Sequence, residues 1–234
     1  MINSKQVQAL QRSLYQPISK IADANKKGDV IIVGITGPPG VGKTTLSRVL
    51  YNFLKQRGYE CLLMSLEDFY FSKEERKTHG IPVRAIPGSH KLDEIENLFK
   101  NIRNGKKIDS VPQYCMVNDI PLEPLIVGTI MNILIFEGWI LKTDIPDYKF
   151  ISNNLDYLIY LDAEIYDCYR WRHDRECIYR KRHGGGLSEN EMNIFWKEHL
   201  EPGIKQWVIP QLTLSDLVIN FDHNHKIRKF YSNK

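Results

Sequence analysis

Cysteine is scarce. Cys61, Cys115, Cys168 and Cys177 are the four in a chain of 234 residues, and their separations fit no zinc motif. Four thiols over this length also fall short of a disulfide framework, so they are expected to be free, in a reducing compartment. Long hydrophobic runs are missing as well. The longest apolar region, Leu125 to Leu141, is interrupted by Gly128, Thr129, Asn132, Glu137 and Gly138, and the amino terminus is polar. That argues against a membrane span or a signal peptide and for a cytoplasmic protein. No sign of charge dominates: 32 Lys and Arg stand against 28 Asp and Glu, a net charge of +4. The excess lies between Arg170 and His183, where Arg170, Arg172, Arg175, Arg180, Lys181 and Arg182 face only Asp174 and Glu176. A nucleic-acid binder spreads positive charge over a face that follows many phosphates, whereas one short basic segment suits a compact anion. Internal repeats and low-complexity linkers are absent too, so residues 1–234 are expected to form a single domain, and 42% hydrophobic residues suffice for its core.

The pattern that is present alternates strands with helices. Val7, Leu10, Leu14, Ile18 and Ile21 recur at helical spacing, with Pro17 expected to kink or break the helix, and residues 1–28 read as a helical extension that covers the sheet. At Val30 the pattern changes to a continuous β-branched run through Ile35, the signature of a strand buried on both faces. A Gly/Pro loop and a helix ended by Gly58 follow, then a strand over Cys61–Ser65. Phe71 to His90, with Gly80, Pro82, Pro87 and Gly88, reads as a long functional loop. Beyond a helix over Leu92–Ile102 come strands at Asn132–Phe136 and Leu155–Asp162, and a long polar helix from about Ala163. After Gly184-Gly185-Gly186, Ser188 and Glu191 form a capping-box signature, and Leu217–Asn220 reads as a last strand. Such alternation predicts an α/β fold with a parallel sheet.

One loop carries a specific chemical signal. Gly37-Pro38-Pro39-Gly40-Val41-Gly42-Lys43-Thr44 fits Gly-x4-Gly-Lys-Ser/Thr and lies between a predicted strand and a predicted helix, and these residues with Thr45 are expected to bind the nucleotide. Glycines let successive N–H groups converge on phosphates, the helix terminus adds positive potential, Lys43 reaches the β and γ oxygens, and Thr44 can ligate Mg²⁺. Two carboxylates, Glu67 and Asp68, end the second strand, where a phosphotransferase needs a group to orient an acceptor hydroxyl and take its proton. Ile133 to Phe136 ends in Glu137, the form of a strand-end acid that faces Mg²⁺. Arg172 and Arg175, three apart on one helical face, could close over phosphates as a lid; the alternative is a solvated helix with Arg172 paired to Glu176.

These segments resemble the P-loop kinase family that includes uridine kinase, phosphoribulokinase, pantothenate kinase and D-glycerate 3-kinase, from about Val30 to Asn220. The family's Asp-x-Phe-Tyr reads Glu67-Asp68-Phe69-Tyr70 here, and its Glu-Gly strand end is Phe136-Glu137-Gly138-Trp139. Ile86-Pro87-Gly88-Ser89-His90 together with Phe-Glu-Gly-Trp looks most like the D-glycerate 3-kinase-like branch. The resemblance implies a three-layer P-loop fold with a lid over about 165–190, and ATP with Mg²⁺ as cofactors. It also implies an acceptor site lined by Tyr70, Arg84, His90 and Tyr114. Glu67 stands where the family has Asp, so either Glu67 or Asp68 is the base. The Asp that uridine kinases carry after Tyr114 is replaced by Cys115, and a cationic loop of Arg84, Lys91 and protonated His90 suits a carboxylate- or phosphate-bearing acceptor. A small-molecule acceptor is therefore expected, D-glycerate foremost, with no nucleic-acid or membrane partner. Uridine or pantothenate phosphorylation, or a regulatory nucleotide-binding protein, are the alternatives. His223 and His225 are read as a solvated tail, and Trp171, Trp196 and Trp207 as packing residues.

Overall fold

The computed structural model describes residues 14–24 and 29–233. Its elements in chain order are α1 (Gln16–Ala24), β1 (Ile31–Thr36), α2 (Lys43–Gln56), β2 (Cys61–Ser65), α3 (Lys73–Thr78), α4 (Leu92–Arg103), β3 (Ile108–Cys115), β4 (Ile120–Thr129), β5 (Ile133–Glu137), α5 (Lys149–Asn154), β6 (Tyr157–Asp162), α6 (Ile165–His183), α7 (Glu189–Phe195), β7 (Leu217–Phe221) and β8 (Ile227–Ser232). Six strands form one sheet in the order β2-β5-β1-β6-β7-β8, parallel except for β8. Every residue of β1 and β5 is buried, as continuous apolar runs require when helices cover both faces.

Leu14 and Tyr15 form a widened helical turn that runs directly into α1 at Gln16, so Pro17, expected to kink or break the helix, sits where the turns change from wide to regular. Leu14 and Ile18 are fully buried beside the sheet, and Tyr15 stacks on Phe53 of α2 at 3.7 Å. Val7 and Leu10 lie outside the described residues. Past α7 the helix continues in widened turns through Trp196–Leu200 and Ile204–Val208, which accommodate Pro202 without an N–H.

Three elements depart from the sequence reading. The segment Phe71–His90 is not wholly loop: Ser72 and Glu75 cap the short charged helix α3, which has no apolar period to betray it. β3 and β4 pair antiparallel as a separate hairpin, although Pro112, Pro121 and Pro124 and the exposure of most of β4 suppress the usual strand signal. β8 follows β7 through a tight turn at Asp222–His225, so the chain after Asn220 is an edge strand instead of a tail.

Candidate active site

Parallel strands β1, β2 and β5 end side by side, with Ile35 opposite Glu137 and Ser65 opposite Glu137 in register. That edge is where an open α/β sheet collects its ligand-binding groups. A cavity of about 1250 Å³ opens there, lined by the phosphate loop, Glu67, Asp68, Tyr70, Arg84, Tyr114, Glu137, Trp139, Arg172 and Arg175. The structure thus brings most of the sequence-predicted residues to one space.

Within the loop, Lys43 Nζ donates to the carbonyls of Gly37 at 2.9 Å and Pro38 at 3.1 Å. Burial lowers the Lys43 pKa, opposed by the nearby charges of Glu67 and Glu137. Gly40 has φ +91°, and a Cβ there would lie 2.6 Å from the Cys168 carbonyl and 3.1 Å from the Arg172 nitrogen. Only glycine permits both that conformation and this approach of α6 to the loop. Thr44 Oγ1 donates to Glu137 Oε1 at 2.6 Å. Glu137 is 3% exposed, and its pKa is raised first by burial and then by the facing Glu67.

Hydroxyl and carboxylate oxygens converging beside a surplus of buried negative charge fit Mg²⁺, which prefers hard oxygen ligands. Among the described residues no cluster of three metal-ligating side chains exists. A metal here would therefore depend on nucleotide phosphates for much of its shell, which is the usual arrangement for Mg²⁺ in phosphotransferases.

Glu67 and Asp68 sit in one 3₁₀ turn, yet their surroundings separate them. Ser65 Oγ donates to Glu67 Oε2 at 2.5 Å, and the Glu67 charge acts on Lys43, Glu137 and Tyr70. Asp68 uses both oxygens structurally, accepting from the Ser65 N–H and from the Tyr114 N–H of β3, each at 3.2 Å. Burial pushes its pKa up to about 6.

At the far end, Tyr70 packs edge-on against Tyr114 at 5.7 Å and stacks on His90 at 4.5 Å. His90 itself does not line the cavity. It lies behind Tyr70, 2% exposed, with Nδ1 sharing a 2.7 Å hydrogen bond with the Tyr148 hydroxyl. Burial lowers its pKa to about 3, so the expected protonated His90 is corrected to a neutral packing ring. Lys91 is turned away as well, paired with Glu75 at 2.8 Å. Of the expected cations Arg84, Lys91 and His90, Arg84 alone lines the cavity, bonded to Asp119 at 3.0 Å.

Asp119, which sequence reasoning passed over, accepts from Arg84, from buried Arg76 at 2.5 Å and from the Tyr114 hydroxyl at 2.7 Å. Its φ of +57° suits Asn at least as well as Asp, so Asp119→Asn tests the charge alone. Against the effect of burial, the Tyr114 hydroxyl and the two arginines hold its carboxyl below the usual range. A depressed acid stabilises the fold above its unfolded pKa and ceases to do so as pH falls through the folded value. Asp119→Asn is expected to cost about 2 kcal/mol at pH 7, roughly a 4–8 °C drop in Tm, with the difference from wild type shrinking below about pH 4. Thermal melts at pH 3 and pH 7 check it.

Along α6, Arg172 and Arg175 reach the cavity, and Arg172 is paired with Glu176. The pairing named as an alternative thus exists, but buried: the two side chains are 5% and 3% exposed, so the helix face is not solvated. The turn between β7 and β8 carries His225 onto the loop, where Nε2 donates to the Val41 carbonyl at 2.9 Å and the ring stacks on Trp171 at 3.9 Å. His225 is therefore part of the site's wall, a role the sequence hid because the hairpin return was not legible. His223, at the same turn, is exposed.

Residues 32–227 match the profile of the family described as phosphoribulokinase / uridine kinase. The chain belongs to that family. Membership makes it a small-molecule kinase, an enzyme that transfers a phosphoryl group to a hydroxyl. Within the wider set of relatives, the chain is 25% identical over 231 residues to a pantothenate kinase of Streptococcus gordonii, covering 89% of this chain and 74% of that protein. It is 28% identical over 228 residues to the chloroplastic D-glycerate 3-kinase of Arabidopsis thaliana, covering 78% of this chain but 49% of the plant protein. Among solved structures, the D-glycerate 3-kinase of Cryptococcus neoformans superposes with a TM-score of 0.71 over 98% of this chain and 99% of that one, at 17% identity. That last likeness establishes the fold. No helix among the described residues of this kinase is long and apolar enough to cross a membrane.

Proposed function

We propose that this family member transfers the γ-phosphoryl group of ATP, with Mg²⁺, to a hydroxyl of a small carboxylate-bearing metabolite, D-glycerate being the leading candidate. The observation that carries the reading is the convergence of Lys43, the Thr44–Glu137 pair and Glu67 in one cavity whose lining also includes Arg84, Tyr70 and Tyr114. Loop amides and Lys43 hold the phosphates. Glu67 accepts the proton of the acceptor hydroxyl as its oxygen bonds to the γ phosphorus and the β–γ bridging bond breaks. Thr44 and Glu137 would hold Mg²⁺, which neutralises phosphate charge when bound. Arg172 and Arg175 stabilise the transferring group. Arg84 gives a carboxylate a charge-assisted partner near the base.

D-glycerate and pantothenate both carry a hydroxyl and a carboxylate, and the names of the relatives support either; uridine carries no carboxylate for Arg84. ADP release from MgATP, measured with D-glycerate, pantothenate, uridine, cytidine, ribulose 5-phosphate or no acceptor, separates them. D-glycerate is expected to stimulate release by at least about 100-fold over water, since an oriented hydroxyl replaces a mobile nucleophile. Stimulation by pantothenate alone would transfer the reading to that acid. Slow release indifferent to every acceptor would favour a nucleotide-binding regulator.

A further inference from the structure

The Arg172–Glu176 pair is more than one turn's worth of helix surface. Ion pairs at this spacing on exposed helices contribute little. Here both partners are buried, and Glu176 serves a second structure: its Oε2 accepts the backbone N–H of Leu187 at 3.2 Å. Gly186, with φ +92°, passes so close that a Cβ would lie 2.8 Å from that same oxygen. Arg180 donates to the Leu187 carbonyl, closing the turn from the other side. One carboxylate thus joins the glycine turn after α6 to the arginine that abuts Gly40 of the phosphate loop.

We propose that Glu176 is a positioning residue: it anchors the Arg172 guanidinium to the glycine turn and fixes its aim at the transferring phosphoryl group. The inference rests on the phosphotransfer reading above. Charged and titratable groups facing Arg172 are Arg175, Glu176 and Tyr179 from α6 and Arg84 from the segment after α3. Burial first and Arg175 second act against its charge, and Glu176 is the strongest group opposing them. Removing one partner of such a pair leaves the other as a buried, unpaired charge, whereas removing both does not.

This asymmetry supplies the test. Glu176→Gln keeps the side chain's shape and is expected to lower kcat by about 100-fold with little change in the KM for MgATP, the signature of a misaimed group rather than lost substrate binding. Arg172→Ala leaves an anionic socket, so added guanidinium ion is expected to restore turnover at least about tenfold. The double variant Arg172→Ala/Glu176→Gln, which has no charge left to strand, should melt above the single Arg172→Ala variant yet show no guanidinium rescue. Glu176→Asp, which retains the charge on a shorter stem, is expected to fall between wild type and Glu176→Gln. Equal rescue of the single and double variants, or wild-type kcat in Glu176→Gln, would overturn the assignment. MgATP binding, followed by tryptophan fluorescence with Trp171 beside Arg172, is measured in parallel. A wild-type protein that binds MgATP without acceptor-dependent ADP release overturns the phosphotransfer reading alone. The order of melting, with the double variant above Arg172→Ala, then still decides for or against the tie between Glu176 and Arg172.

Discussion

Glu67→Gln is expected to lower acceptor-dependent kcat by about 1000-fold while leaving MgATP affinity within about threefold of wild type. The side chain keeps its length and its contact with Ser65 Oγ, which donates equally well to an amide oxygen, so the loss isolates proton acceptance. Asp68→Asn should behave differently. Asp68 holds the start of its own turn through the Ser65 N–H and ties β3 to that turn through the Tyr114 N–H. An amide has one oxygen for these two donors, so the expected cost is about 1 kcal/mol of stability, with activity falling no more than about tenfold. Single-turnover measurements with D-glycerate, alongside thermal melts, separate the two effects. A 1000-fold loss in Asp68→Asn with near-normal Glu67→Gln would exchange the roles. Comparable near-wild-type activity in both would remove the carboxylate base from the mechanism.

The half of the cavity proposed to be catalytic was legible because its residues lie in short local motifs, at strand ends and at the start of the helix after β1. Gly37 to Thr44 announces its own backbone geometry, and the apolar run before Glu137 marks a strand whose last residue emerges at the sheet's edge. The half proposed to take the acceptor was less so. Arg84 and Tyr114 entered through family resemblance, and Asp119 was missed because its three partners come from α3, the segment after it and β3, elements with little apolar patterning. His90 misled for a related reason: a histidine in a polar loop reads as accessible, while the bridge between Tyr70 and His90 draws the ring under the aromatic layer. His225 and β8 were lost together, since an exposed edge strand rich in charge carries no pattern that separates it from a solvated tail. Glu176 was visible as an i,i+4 partner of Arg172, but its burial depends on the glycine turn folding back.

Glu137→Gln is expected to abolish most activity and, in the nucleotide-free protein, to raise stability. The buried carboxylate faces Glu67, and its pKa lies above the ordinary glutamate value. Such an acid loses its proton more readily in the unfolded chain, so between the two pKa values the unfolded state binds fewer protons and stability declines as pH rises. Glutamine keeps an acceptor for the Thr44 hydroxyl without the buried charge. At pH 8 the variant should melt a few degrees higher, at roughly 2–4 °C per kcal/mol for a chain of this size, and the gain should vanish near pH 4, where both versions are neutral. Turnover should fall at least about 100-fold. Lys43→Met sets the sign from the other direction. It also abolishes turnover, but it removes the donor to the Gly37 and Pro38 carbonyls and the cation beside Glu67 and Glu137, so it should melt below wild type. Melting at pH 4 and pH 8 with and without MgATP, paired with ADP release, reads both. An unchanged Tm for Glu137→Gln at pH 8 would mean that Lys43 already balances the carboxylates, and the site would then hold no negative surplus to attract Mg²⁺.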